Sequence, residues 1–256
     1  MSSLAVENLT LRFGGLTAID NVSFEVRRGE VFTLIGPNGA GKTSIFNVIS
    51  RFYRPSAGRL AFEDRDITEI PAHEVARLGI ARTFQNIELF DNATVLENLL
   101  VGRHRHRTTR TWEELLFLPK VRRAEYAHRR RVEEIIDFLD LQRYRDQLIA
   151  NLPYGVRKVC ELARALCTEP KILLLDEPSS GLNVEETDDM VYWINDIRSE
   201  LGITVLMVEH DMALVNRVSD RVLALDYGRV VALGAPQDVA RDPNVIAAYL
   251  GPEGAV

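Results

Sequence analysis

The chain has 256 residues, of which 46% are hydrophobic and 27% are charged. This balance is typical of a globular protein with one large domain, or with a core and an inserted subdomain. The formal net charge of −6 argues against nucleic acid as a partner. The longest apolar runs have only strand length, and the first residues lack a signal-peptide pattern. We therefore expect a cytoplasmic protein, which can still dock on a membrane-embedded partner.

Short apolar runs alternate with helical patterns over most of the chain, which predicts an α/β fold with a mostly parallel sheet. The predicted strands are 5–12, 23–26, 30–35, 59–62, 171–175, 204–208, 222–226 and 230–233. The predicted helices are 43–50, 71–78, 184–201 and 212–218. The runs 172–175 and 204–208 are apolar almost throughout, as expected for strands buried on both faces.

Strand signals disappear between about residues 87 and 158, where helical periodicity dominates, as in 124–139. We interpret this stretch as a helical subdomain inserted into an α/β core of about 1–86 and 159–240, followed by a C-terminal tail, 241–256. Residues 103–131 carry nine Arg and one Lys against three Glu. A solvated, well-charged pair of helices is the favoured interpretation, and contact with a membrane subunit, anionic headgroups or nucleic acid is the alternative.

The chain contains two cysteines, Cys160 and Cys167, which are seven residues apart in a helical pattern. Because they lie two turns apart in a reducing compartment, we expect two buried thiols rather than a disulfide. The five histidines show no spacing typical of a metal site.

The most specific motif is GPNGAGKT, which follows the predicted strand 30–35 and opens the predicted helix 43–50. It matches the P-loop pattern, in which glycines let backbone N–H groups surround a phosphate. Lys42 adds a positive charge for the β- and γ-phosphates, and the hydroxyl of Thr43 suits Mg²⁺. The motif predicts that a nucleoside triphosphate is bound by Gly36, Pro37, Asn38, Gly39, Ala40, Gly41, Lys42, Thr43 and Ser44.

A second motif, ILLLDEP, ends a predicted buried strand with two carboxylates, Asp176 and Glu177. Ligands of parallel sheets bind at the carboxyl ends of the strands. Asp176 is therefore predicted to hold Mg²⁺ on the phosphates, and Glu177 to orient and deprotonate an attacking water.

Together, these motifs resemble those of the ATP-binding-cassette (ABC) ATPases, over almost the entire chain. The resemblance implies an ATPase that uses ATP and Mg²⁺, with a P-loop NTPase core, an antiparallel β subdomain and an inserted helical subdomain. It also implies that Gln85 contacts Mg²⁺ and water and senses the membrane subunit, and that His210 holds the γ-phosphate. Phe13 corresponds to the aromatic residue that stacks on adenine. The segment 179–183 (SSGLN) corresponds to the D-loop.

The signature motif departs from the pattern of this family. Where the family has Leu-Ser-Gly-Gly-Gln, residues 152–156 read LPYGV. In the family, this loop contacts the ATP of the partner subunit in a head-to-tail dimer, which assigns that role to Pro153, Tyr154, Gly155 and Val156. Proline supplies neither a hydroxyl nor an N–H, and Val156 lacks the glutamine amide. We therefore expect a heterodimer with unequal sites, in which a second ABC ATPase provides a fuller signature.

Three longer segments, 82–102, 179–187 and 242–251, together with Tyr154, resemble the ATPase subunits of branched-chain amino-acid importers (the LivG-like group). This resemblance implies integral membrane permease subunits and a periplasmic or extracellular solute-binding protein as partners. Related systems import urea, short amides or aromatic acids, and the segments do not distinguish among these substrates.

Three alternatives remain at the sequence level. The ATPase of a lipid or lipopolysaccharide exporter shares the C-terminal ending, but the insertion 103–125 and the Tyr-Gly signature oppose it. Interpretation as a P-loop phosphotransferase or GTPase explains only the motif at 36–43, and the chain lacks the guanine-binding motif Asn-Lys-x-Asp. A low-turnover subunit that binds ATP as a regulatory clamp is favoured by Pro153 and Val156 but opposed by Glu177 and His210.

Overall fold

The computed structural model describes residues 2–106 and 119–250. The chain forms two compact units. The first unit is built from the chain up to Arg82 and from Lys171 onward, and the second unit is Thr83–Pro170. The stretch predicted as an insertion, 87–158, lies within the second unit.

Ten strands and nine helices are assigned within the described residues. The strands are β1 (Ser2–Phe13), β2 (Leu16–Arg27), β3 (Val31–Ile35), β4 (Ala57–Phe62), β5 (Arg65–Asp66), β6 (Ile80–Arg82), β7 (Ile172–Asp176), β8 (Thr204–Val208), β9 (Arg221–Asp226) and β10 (Arg229–Gly234). The helices are α1 (Lys42–Ile49), α2 (Ala72–Leu78), α3 (Val95–Gly102), α4 (Pro119–Phe138), α5 (Tyr154–Leu166), α6 (Val184–Ser199), α7 (Met212–Val218), α8 (Pro236–Val239) and α9 (Pro243–Leu250). Within these described elements, no helix is long and apolar enough to cross a membrane.

The first unit contains two sheets, which confirms the predicted α/β fold with a mostly parallel sheet and an antiparallel β subdomain. The larger sheet has the strand order β10-β9-β3-β8-β7-β6, and only β10 runs antiparallel to its neighbour. The smaller sheet, with the order β2-β1-β4-β5, is antiparallel. Every residue of β3, β7 and β8 is buried, as their apolar sequences predict.

The order of the parallel strands brings distant parts of the chain to one edge. Strand β3 lies between β9 and β8, and β7 lies on the far side of β8. In this register Leu34 pairs with Val208, and Val208 in turn pairs with Asp176. The loops that follow β3, β7, β8 and β9 therefore begin at the same edge of the sheet.

The hydrophobic core of the first unit includes side chains from both sheets and from α1. Phe32, Phe46 and Phe62 are among its largest fully buried side chains. Phe24 of β2 stacks on Phe32 of β3, with ring centroids 5.4 Å apart. A smaller apolar cluster joins Ile35, at the end of β3, to residues of α7, β9, α8 and α9.

The described elements of the second unit are helices and short 3-10 turns. Helix α3 begins with a capping box formed by Thr94 and Glu97. Cys160 of α5 and Cys167, directly after it, are buried and unpaired, as predicted. Burial raises the pKa of each thiol to about 12.

Part of the basic stretch 103–131 lies outside the described residues, which omit 107–118. On α4, Arg129 pairs with Glu125, and both Arg130 and Arg131 pair with Glu134. Such pairs three and four residues apart are typical of a solvated, charged helix.

Several element boundaries differ from the predictions. Strand β6 was not predicted, because three residues between two polar segments carry too little periodicity for a strand signal. Strand β2 begins at Leu16 rather than at residue 23, because its first half, in which only Ile19 is buried, is held by pairing with β1. Helix α9 lies in the segment predicted as a tail.

Candidate functional site

The P-loop connects β3 to α1, and two of its glycines are required by close packing. A Cβ on Gly36 would lie 2.2 Å from the carbonyl oxygen of Leu225, and one on Gly41 would lie 2.6 Å from that of Ala18. Both residues also have positive φ angles, 146° and 100°. Gly41 is the N-cap of α1, so the helix begins at Lys42, one residue earlier than predicted. The loop is therefore held between β9 and β2 in a conformation that favours glycine.

Lys42 is buried and folds back over its own loop. Its Nζ donates hydrogen bonds to the carbonyl oxygens of Gly36, at 2.6 Å, and Pro37, at 3.0 Å. Burial lowers the pKa of Lys42, and the negative charges of Glu177 and Asp176 partly oppose this shift. The lysine and both carboxylates of the second motif thus lie within electrostatic reach of one another.

The remaining P-loop residues differ in their access to solvent. Asn38, Gly39 and Thr43 are exposed, whereas Ala40 is buried. Ser44 is half-buried in the first turn of α1. The exposed residues surround the N-terminus of a helix, where N–H groups and the helix dipole favour an anion.

Asp176 is the last residue of β7, and it forms a buried ion pair with Arg82 at the end of β6. The guanidinium Nη2 lies 2.9 Å from the carboxylate Oδ2. Arg82 also donates to the side chain of Asn47, at 2.8 Å. Its guanidinium lies over the ring of Phe46, with its carbon 5.4 Å from the centroid. No sequence pattern singled out this arginine, which is the first residue of the segment 82–102.

Glu177 and His210 lie in neighbouring loops. The Glu177 N–H donates to the carbonyl of Val208 at 2.9 Å, and Glu177 has a positive φ of 49°. Its Oε1 lies 4.0 Å from Nδ1 of His210, whose side chain is 58% exposed. The structure therefore brings the predicted base and the predicted γ-phosphate contact together, although Glu177 and His210 lie far apart in the chain.

Glu209, which no sequence motif predicted, connects these two loops. It is fully buried. One carboxylate oxygen accepts from the N–H and the hydroxyl of Ser179, at 2.9 and 2.7 Å. The other accepts from the N–H groups of His210 and Asp211, at 2.9 and 3.2 Å. A negative charge between a buried strand end and a histidine was the only signal in the sequence.

The segment 179–183 also has a local structural role. Asn183 is the N-cap of α6 and forms a capping box with Glu186. The Asn183 side chain accepts from the N–H of Glu186 at 3.0 Å, and the Glu186 carboxylate accepts from the N–H of Asn183 at 3.0 Å. This pairing fixes the point where the loop after β7 enters the helix.

Phe13 ends β1 and is 44% exposed. Its ring meets that of Tyr53 edge-on, with centroids 5.1 Å apart. Phe13 pairs with Leu16, two residues before the carbonyl of Ala18 that packs against Gly41. The tip of this hairpin therefore lies next to the P-loop and has an accessible aromatic face.

Gln85 belongs to the second unit, three residues after β6 ends, and is exposed. Its neighbour Phe84 donates its N–H to the carboxylate of Glu161, at 3.2 Å. Glu161 is buried on α5, and burial raises its pKa, an effect that the Phe84 hydrogen bond partly opposes. Glu161 thus joins the segment around Gln85 to the helix that follows the signature.

The signature residues lie at the start of α5, in the second unit. Pro153 is the N-cap, and its carbonyl accepts the N–H of Arg157 at 3.0 Å. No side-chain hydrogen bond caps the helix at this position, because proline has no side-chain acceptor. Tyr154 is exposed, Gly155 is buried and Val156 is half-buried.

The first unit offers oxygen donors that suit Mg²⁺. Within the described residues, no group of three or more His, Cys, Asp or Glu side chains could hold a metal ion. Magnesium sites at nucleotides are commonly built from one or two protein oxygens together with phosphate oxygens and water. The carboxylate of Asp176 and the hydroxyl of Thr43, an exposed residue, match that donor set.

Comparison with known families gives two matches. Residues 19–180 match the family model described as ABC transporter. Residues 229–251 match the model described as branched-chain amino acid ATP-binding cassette transporter. The second match covers β10, α8 and α9.

Two relatives match over almost their whole length. The chain is 42% identical to the high-affinity branched-chain amino acid transport ATP-binding protein LivG of Salmonella typhimurium, over 97% of each chain. It is 42% identical, again over 97% of each chain, to BraF of Pseudomonas aeruginosa, which carries the same description.

Solved structures agree with these matches. A nucleotide-free ATP-binding cassette from an ABC transporter has a TM-score of 0.86 at 33% identity, covering 98% of this chain and 100% of its own. The ADP conformation of the cassette MJ1267 has a TM-score of 0.86 at 34% identity, covering 98% and 99%. This chain therefore belongs to the ATP-binding subunits of the ABC transporter family, in the branched-chain amino-acid branch.

Proposed function

We propose that this chain hydrolyses MgATP to power a membrane importer of branched-chain amino acids or related small polar solutes. The observation that carries the proposal is the convergence of Lys42, Asp176, Glu177 and His210 at one edge of the parallel sheet. Pairwise effects connect the four residues: the carboxylates of Asp176 and Glu177 act on the pKa of Lys42, and Glu177 lies beside His210.

ATP would be bound mainly through its phosphates and its base. The N–H groups of 38–44 and the N-terminus of α1 favour the phosphates. Lys42, now held by two carbonyl oxygens of its own loop, can exchange these acceptors for phosphate oxygens. The half-exposed ring of Phe13 offers a stacking face for adenine.

Glu177 is the proposed general base. Its carboxylate takes a proton from a water whose oxygen attacks the γ-phosphorus, and the bond from that phosphorus to the β–γ bridging oxygen breaks. The products are ADP and inorganic phosphate. His210 donates a hydrogen bond to the γ-phosphate and orients it for this attack.

Asp176 and Thr43 are the proposed protein ligands of Mg²⁺, as their oxygen donors fit. When bound, the ion supplies positive charge that offsets the negative charge on the β- and γ-phosphates. Gln85 stays a prediction as a further ligand and as a sensor of the membrane subunit.

The proposed partners are permease subunits in the membrane, a solute-binding protein and a second ABC ATPase. The names of the relatives, which are branched-chain amino acid transport ATP-binding proteins, support an importer rather than a lipid exporter. Such partners would hold this chain at the inner face of the cell membrane.

We further propose a heterodimer with unequal sites. Pro153 cannot supply the serine hydroxyl, and Val156 cannot supply the glutamine amide, of the usual signature. In a homodimer, the weakened signature would face both ATP molecules. A partner with a fuller signature would complete the site built on Lys42 and Glu177, whereas the opposite site would be slower.

The proposal is tested by ATP hydrolysis in the assembled complex with permeases and partner ATPase. Glu177→Gln should keep ATP bound but lower turnover at least ~10²-fold, because glutamine has the same shape as glutamate but cannot act as the base. Lys42→Ala should instead lose nucleotide affinity. Parent-level turnover in Glu177→Gln would refute the role of the base.

Oligomeric state provides the test of the heterodimer. The isolated chain should be largely monomeric and a poor ATPase, and it should gain activity when its partners are added. A stable ATP-dependent homodimer with high turnover would contradict unequal pairing.

A further inference from the structure

The C-terminal helix α9 packs against the strand that leads into the P-loop. Val245 of α9 is buried in the small apolar cluster that contains Ile35 and Ala224. Ile35 is the last residue of β3 and directly precedes Gly36. The helix is therefore anchored beside the first residue of the P-loop.

Tyr249 lies one helical turn after Val245, on the same face of α9. Its hydroxyl oxygen accepts a hydrogen bond from the backbone N–H of Gly36, at 2.8 Å. The tyrosine is 45% exposed, so the side chain lies at the surface while its hydroxyl contacts the loop. Residues 213 positions apart are joined by this bond.

Gly36 also contacts Lys42, through its other polar group. The Gly36 carbonyl accepts the Nζ of Lys42 at 2.6 Å. Because glycine has no side chain and φ here is 146°, the orientation of its two peptide groups depends on such external contacts. Tyr249, Gly36 and Lys42 thus form a continuous hydrogen-bonded chain from the C-terminal helix to the phosphate-binding lysine.

We propose that Tyr249 is a positioning residue for nucleotide binding, which acts by fixing Gly36 and, through it, the P-loop and Lys42. The C-terminal segment that distinguishes the branched-chain branch, 229–251, then has a direct effect on the ATP site. This inference rests on the proposed role of 36–44 in binding phosphate.

The protonation state of the Tyr249 hydroxyl suits this role. Burial raises the pKa of Tyr249 above its ordinary value of 10.0, so the group is neutral at physiological pH. A neutral hydroxyl accepts the N–H of Gly36 without adding a negative charge next to a phosphate site.

The test uses the full-length chain with Tyr249→Phe, which removes only the hydroxyl. Fluorescent ATP titration should give a dissociation constant about two- to tenfold weaker, the loss expected for one neutral hydrogen bond. Hydrogen exchange of the Gly36 amide, measured by NMR without nucleotide, should accelerate. Tyr126→Phe, at an exposed tyrosine of α4, is the matched control and should change neither quantity.

A second variant tests the docking of the helix while the Tyr249 hydroxyl is kept. Val245→Ala weakens the anchor of α9 and should shift ATP affinity and Gly36 exchange in the same direction as Tyr249→Phe. An unchanged dissociation constant in Tyr249→Phe, or unchanged exchange at Gly36, would overturn the inference. Failure of the parent chain to bind ATP would count against the proposed function, and Gly36 exchange would still decide the role of Tyr249.

Discussion

The guanidinium of Arg82 lies 2.9 Å from the carboxylate of Asp176, and both side chains are almost fully buried, with exposures of 8% and 4%. The pair joins the ends of two adjacent parallel strands, β6 and β7. It therefore fixes a carboxylate that we propose as a ligand of Mg²⁺. A buried pair of this kind costs much more to break than a surface pair does.

Arg82→Met should destabilise the protein by roughly 3–5 kcal/mol, because it removes the cation from a buried carboxylate and keeps most of the volume. Urea unfolding provides the measurement. Arg217→Met is the matched control, since Arg217 pairs with Asp188 on the surface, where both side chains are about half exposed. The control should change stability by less than about 1 kcal/mol. If the two variants lose equal free energy of unfolding, burial does not make the Arg82–Asp176 pair more stabilising than a surface pair.

Glu209→Gln should destabilise the protein by about 2–3 kcal/mol and lower ATP turnover in the complex. The carboxylate accepts four hydrogen bonds from Ser179, His210 and Asp211, and an amide would turn N–H donors toward two of them. Urea unfolding and a hydrolysis assay measure the two effects. Glu200→Gln, at an exposed position after α6, is the control. Parent-like stability in Glu209→Gln would mean that the network does not depend on the charge.

Phe13→Ala should weaken ATP binding several-fold, because stacking on the base contributes on the order of 1 kcal/mol beyond burial. Phe13→Trp retains an aromatic face and should preserve most of the affinity. A fluorescent ATP titration of both variants gives the comparison. Leu16→Ala, at the cross-strand partner of Phe13, controls for damage to the hairpin. If the alanine variant at position 13 keeps the parent dissociation constant, Phe13 does not contact the base.

Pro153→Ser should stabilise α5 relative to Pro153→Ala by about 1 kcal/mol, because a serine at the N-cap accepts an N–H from the first helical turn. Both variants lose the proline ring, which restricts the unfolded chain, so this entropic effect cancels when the serine variant is compared with the alanine variant. The serine variant should also raise ATP turnover in the assembled complex, since it restores the signature hydroxyl. A stability gain without any change in rate would show that the missing hydroxyl does not limit turnover.

Local sequence determined the P-loop, the ILLLDEP motif, the family resemblance and the α/β class. The reason is that strand, loop and helix follow one another directly in the chain, and their residue types are dictated by buried strands and by phosphate chemistry. The burial of Cys160 and Cys167 was predictable for the same reason, because helical periodicity is a local signal.

Only the tertiary structure decided which side chains contact and support the residues of the site. Arg82 meets Asp176 because β6 and β7 are adjacent in the sheet, and strand order is a property of the whole chain. Glu209 reaches Ser179 for the same reason. The hydrogen bond from the Gly36 N–H to the Tyr249 hydroxyl joins residues near opposite ends of the chain. The only feature of the sequence that pointed to this region was the resemblance of 242–251 to the branched-chain group. Hydrogen bonds between distant residues leave no periodic pattern in a single sequence, so the motifs predict the chemistry of the site, whereas its supporting contacts follow from the packing of the sheet.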